Sequence, residues 1–82
     1  METIKTVMRI KLDSIDDVKE FVNRATMCKF DIDLTSDRYV IDAKSIMGIF
    51  SLDLSKPINL DVEEEYSNSR DLFLFDKWKV KD

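Results

Sequence analysis

The hydrophobic period changes along this chain, and the order of the changes constrains the fold more than any other feature. In residues 3–12, Ile4, Met8, Ile10 and Leu12 fall on even positions and alternate with Lys5, Arg9 and Lys11. Period two marks a strand with one buried face, and Val7 adds one apolar residue to the other face. Ser14 then opens a Ser-x-x-Asp pattern with Asp17, a helix N-cap followed by an acidic first turn. Ile15, Val18, Phe21, Val22, Ala25 and Cys28 recur at helical spacing and predict an amphipathic helix over residues 15–28. Phe30, Ile32 and Leu34 return to period two. Ser36 and Asp37 supply turn chemistry, and Tyr39, Val40 and Ile41 make a third strand paired with the second as a hairpin.

Ser45 caps a short helix carrying Ile46, Met47, Ile49, Phe50 and Leu52, with Ile49 and Leu52 as its core members. Gly48 costs such a helix about 1 kcal/mol relative to alanine, which implies a close approach by a strand or a partner. Pro57 starts a fourth strand through Ile58, Leu60 and Val62, and Glu63, Glu64 and Glu65 end it in solvent. In the last segment Ser67, Asn68 or Ser69 can cap a helix whose Leu74, Phe75 and Trp78 share a face with Asp71. Leu72, Leu74 and Trp78 also fit period two; a helix over residues 69–79 is the preferred reading. Trp78, Phe73 and Phe75 are expected to close the core, Phe73 being the one with an exposed alternative, and Lys77, Lys79 and Lys81 form a basic, solvated end. The order β-α-β-β-α-β-α predicts an α+β fold, a four-stranded antiparallel sheet with its helices on one face.

Eighty-two residues supply one modest core, so residues 1–82 read as a single domain. The net charge of −4 argues against duplex nucleic acid and anionic membrane as partners. There is no histidine, which excludes imidazole acid–base chemistry, histidine metal ligation and a phosphohistidine. One glycine and one proline leave no Gly-rich phosphate loop. The lone Cys28 lies on the apolar helix face and reads as a buried small hydrophobe rather than a reactive thiol. No segment approaches the ~20 apolar residues of a membrane span, and no signal-peptide pattern opens the chain, so a cytoplasmic protein is expected. With no nucleophile dyad the chain is not expected to be an enzyme, and no cofactor is implied. Asp13, Asp16 and Asp17 without a Gly-containing loop are a weak pattern for Mg²⁺ or Ca²⁺, and no metal site is assigned.

The string Lys44-Ser45-Ile46-Met47-Gly48-Ile49-Phe50-Ser51-Leu52 resembles the regulatory-serine signature of HPr, the phosphocarrier of the bacterial phosphoenolpyruvate sugar phosphotransferase system. Ala25-Thr26-Met27-Cys28-Lys29-Phe30 is similar to the end of that family's first helix, and the resemblance spans roughly residues 5–75. It implies the family's open-faced β-sandwich. The departures are informative. Where the family carries His-x-Arg-Pro before its first helix, alignment from Lys29 and Phe30 places Asp16 at the histidine, with Val18 and Lys19 where arginine and proline belong; a shift of one residue substitutes Asp17. The chain therefore resembles a divergent member without the carrier histidine.

Three functional readings follow from the resemblance. In the adopted one the chain is a regulatory protein-binding module phosphorylated at Ser45, as the family's matching serine is phosphorylated by HPr kinase in carbon catabolite repression. Ile46, Met47 and Phe50 then match the family's apolar docking patch, and the implied partners are an HPr kinase/phosphorylase and a transcriptional regulator. The competing local reading makes Ser45 an N-cap alone and the apolar residues all core. A second reading is an aspartyl-phosphate carrier using Asp16 or Asp17, opposed by mutual repulsion among Asp13, Asp16 and Asp17 and by their fitness as helix caps. A third is an interaction protein of the same fold that is never phosphorylated.

Overall fold

A computed structural model of the chain describes residues 3–37 and 39–81. Strands β1 (Ile4–Ile10), β2 (Ile32–Ser36), β3 (Tyr39–Asp42) and β4 (Ile58–Glu63) form one sheet in the order β1-β4-β2-β3, every pairing antiparallel. Helix α1 (Ile15–Met27) follows β1, and the five-residue helix α2 (Ile46–Phe50) links β3 to β4. A short 3₁₀ turn (Glu64–Tyr66) and a 3₁₀ helix (Arg70–Trp78) complete the chain. The expected α+β architecture is the observed one.

The core forms where the two periods meet. Val18, Phe21 and Ala25 of α1 and Ile49 of α2 are buried in one cluster with Ile10, Ile32, Leu34, Ile58, Leu60 and Val62 of the sheet. The other sheet face carries polar side chains, among them Thr6, Asp61, Thr35 and Asp33. At one edge, the tail after the 3₁₀ helix pairs with β1: Lys11 donates its backbone N–H to the Trp78 carbonyl at 2.9 Å, and Val80 donates to Arg9 at 2.8 Å. Strand β3 forms the opposite edge. Its hairpin with β2 turns through Asp37, whose φ of 52° is a left-handed conformation that aspartate tolerates better than most residues.

Four expectations need correction. The even-numbered face of the first strand does not stay together, because Thr6 pairs with Asp61 but Met8 with Leu60, leaving Val7 as the extra residue of a β-bulge. A one-residue slip exchanges faces, so Ile4 pairs with Glu63 and is 54% exposed, while Met8 is half-buried and Ile10 fully buried. Phe30 is buried but precedes β2; it stacks on Tyr66 with ring centroids 4.7 Å apart. Ile15, counted in the apolar stripe, is exposed in the first turn of α1. Finally, the C-terminal helix is 3₁₀ rather than α. Leu72, Phe75 and Trp78 are its buried residues, and a spacing of three aligns them on one edge when there are three residues per turn. Leu74 is half-buried and Phe73 exposed.

Candidate functional site

Ser45 stands at the N-cap of α2 with extended backbone, and its hydroxyl oxygen accepts the Gly48 backbone N–H at 3.2 Å. The residue is exposed. The loop that carries it is fixed from both sides. Lys44 donates its backbone N–H to the Asp42 carboxylate at 2.8 Å, and its ammonium donates to the Cys28 carbonyl at 3.1 Å, closing the end of α1. Nothing local in the sequence shows that the partner of the Lys44 ammonium is sixteen residues away. Gly48 permits the close seat of α2, since a Cβ there would lie 2.6 Å from Cγ2 of Ile41 in β3 and 3.1 Å from the Ser45 hydroxyl. The close approach is thus made by a strand.

With Ile49 fully buried, α2 turns its remaining apolar residues outward to different degrees. Met47 is 76% exposed, Phe50 is 40% exposed and Ile46 is half-buried. Met27, in the last turn of α1 and one residue from the carbonyl that Lys44 grips, is also exposed. Met27 was missed because it sits beside the buried stripe residues Ala25 and Cys28, and only the rotation of α1 on the sheet separates it from them. Cys28 is buried, and desolvation pushes its thiol pKa up, with the Asp71 charge adding to the shift.

Two of the three carboxylates at the start of α1, Asp13 and Asp17, are engaged structurally. The Ser14 hydroxyl accepts the Asp17 backbone N–H at 3.0 Å, and Asp17 Oδ2 accepts the Asp13 backbone N–H at 3.1 Å, so the two side chains cap the helix reciprocally. The Asp13 amide, with help from the Trp78 indole and the Lys77 charge, holds the Asp17 carboxyl below its ordinary pKa. Asp13 is bridged by the Lys11 ammonium at 2.6 Å. Asp16 is exposed and makes no hydrogen bond or ion pair among the described residues. The α1 turn and the Ser45 segment lie at different ends of α1, the first at its start and the second against its end.

No protein-family model matches the sequence, and no curated protein does. Among solved structures, the chain is similar to a crystal structure of HPr-C-His from Thermoanaerobacter tengcongensis, with a TM-score of 0.61 and 24% identity over 94% of this chain and 92% of that one. At that identity the likeness is one of fold: this chain has an HPr-like fold.

Proposed function

We propose that the chain is a regulatory protein-binding module that docks a partner through Met47 and Phe50, flanked by Ile46, and is switched by phosphorylation of Ser45. The observation that carries the reading is the juxtaposition on α2 of an exposed hydroxyl at the N-cap with two exposed apolar side chains, on a helix whose Ile49 is fully buried. Exposed apolar side chains of this size favour a protein contact. A phosphate on Ser45 adds about two negative charges within a turn of that surface, taking the net charge from −4 to about −6 and changing which partners it accepts. The partners implied are an HPr kinase/phosphorylase and a transcriptional regulator. Carrier chemistry is not part of the proposal: the chain has no histidine, Asp17 is engaged in capping α1, and Asp16 has no cation paired with it among the described residues to offset the charge of an incoming phosphoryl group.

The test is intact mass after incubation with ATP, Mg²⁺ and an HPr kinase, with Ser45→Ala as control. A gain of one phosphate that the variant loses is the expected result. No gain, with the protein folded and a working HPr substrate in parallel, removes the switch for that kinase and leaves the Met47–Phe50 surface as an unmodified docking site.

A further inference from the structure

The two edges of the sheet end differently. Along β1 the chain's own tail covers the outer side, with Ile10 bridged to Lys79 and Val80 donating to the Arg9 carbonyl. Beyond β3 the sheet has no further strand among the described residues. Folded proteins ordinarily blunt such an edge with lysine, proline or a bulge. Residues 39–42 read Tyr-Val-Ile-Asp and pair with β2 without a register shift, so β3 carries none of these. Tyr39 and Val40 are exposed.

Ladder alternation fixes which backbone groups face outward. The Ala43 N–H donates to the Ile32 carbonyl at 2.9 Å, so the bonded pairs of this antiparallel ladder continue at Leu34–Ile41 and Ser36–Tyr39. Val40 and Asp42 therefore turn their backbone groups away from β2. The Asp42 carbonyl accepts the Ser45 N–H at 3.0 Å, which leaves the Val40 N–H, the Val40 carbonyl and the Asp42 N–H for an added strand.

The neighbouring side chains set the chemistry of that strand. Val40 and Asp42 share the polar sheet face with their partners Thr35 and Asp33. The charges that reach Asp33 among the described residues, from Asp42, Asp31 and Asp61, are all negative. Lys44, the next cation along the chain, has its ammonium on the Cys28 carbonyl. A second copy of β3 would bring another Asp42 and no cation, setting like charges together between two chains of net charge −4. We infer that β3 accepts an extended segment of a basic partner protein as a fifth, antiparallel strand, with a cationic side chain opposite Asp42 and an apolar one opposite Val40. Backbone bonds supply affinity in this mode of recognition, and the alternate side chains supply specificity. The inference does not rest on the reading of Ser45.

The probe is the peptide Thr-Arg-Thr-Arg-Thr-Val-Thr, acetylated and amidated, titrated into the ¹⁵N-labelled full chain and followed by ¹H–¹⁵N NMR. The expected result is a saturable downfield shift of the Val40 amide, whose hydrogen exchange slows by about tenfold at saturation. Methylating the backbone nitrogen of the peptide's valine removes the donor to the Val40 carbonyl and weakens binding by about tenfold. Asp42→Asn keeps an oxygen for the Lys44 N–H and weakens binding about fivefold, as for an exposed ion pair, while Asp16→Asn, with the same change in net charge, leaves it unaltered. No saturable shift at Val40, equal binding of a peptide with glutamate in place of arginine, or equal binding of the N-methylated peptide each overturns the assignment. So does a Val40 shift that grows with protein concentration alone, which would give the edge to a second copy.

Discussion

At the residue scale, Gly48 decides whether α2 can sit where it does. Replacing glycine by alanine inside a helix ordinarily gains about 1 kcal/mol. Here the added Cβ would meet Ile41 Cγ2 at 2.6 Å, and a β-branched side chain has little freedom to withdraw. Overpacking of this kind costs roughly 1–3 kcal/mol, so Gly48→Ala is expected to lower the urea midpoint, by the equivalent of about 1 kcal/mol net. An unchanged or higher midpoint shows that Ile41 yields easily and that α2 is less tightly seated. The same close contact matters for the proposed docking surface, since Met47 and Phe50 are displayed by the helix that Gly48 allows to approach β3.

At the scale of the element, the polar sheet face holds a row of acids created by strand register. Thr6, Asp61, Asp33 and Asp42 lie side by side across β1, β4, β2 and β3. Asp61 is buried and accepts hydroxyl hydrogen bonds from Thr6 at 2.6 Å and Thr35 at 3.0 Å. Asp33, between two carboxylates, has no such relief. Burial pushes its carboxyl pKa up, and the charges of Asp42, Asp31 and Asp61 add to the shift. A carboxyl whose folded pKa lies above its unfolded one destabilises the native state when both forms are ionised. That penalty fades as pH falls through the folded value and is gone below the unfolded value, near 3.9. Asp33→Asn is therefore expected to raise the melting temperature at pH 7, by an amount equivalent to about 0.2–1 kcal/mol for a like-charge neighbour in a sheet. The advantage over the unsubstituted chain should shrink as pH falls below the ordinary aspartate range. A gain that is the same at pH 3 and pH 7 would point to packing rather than charge.

For the whole molecule, the C-terminal 3₁₀ helix closes the structure through aromatic contacts with α1. Phe21 packs against Phe75 with ring centroids 5.1 Å apart and against Trp78 at 5.6 Å, the second pair edge to face. Arg24 and Lys77 stand over the Trp78 ring at 5.3 and 5.2 Å, and Glu20 pairs with both cations. Phe75 is fully buried. Truncating it to alanine costs roughly 3–5 kcal/mol, a large share of the 5–15 kcal/mol that holds a domain together. Phe75→Ala should therefore be partly unfolded at 37 °C by circular dichroism, whereas Phe73→Ala, its exposed neighbour, should melt close to the unsubstituted chain. Equal losses at the two positions would mean that the helix does not pack through the edge carrying Leu72, Phe75 and Trp78.

What the amino-acid order determined by itself is everything written at short range. The succession of strands and helices follows from hydrophobic period. The caps at Ser14, Ser45 and Ser69 bond to amides two or three residues on, so their function is contained in a few neighbouring residues. Most core positions, from Val18 and Phe21 to Ile58 and Leu60, were legible for the same reason. The exposure of Met47, the Lys44 grip on Cys28 and the approach of the Trp78 indole to Asp17 were not, because each depends on which distant surface arrives beside it. Tertiary structure also decided the bulge at Val7, which sets the face of Ile4: Thr6 meets Asp61 from 55 positions away, and no periodicity within β1 encodes that register. Likewise only packing against Phe21 favoured three residues per turn at the C-terminus, where Leu72, Phe75 and Trp78 must reach the core along a single edge.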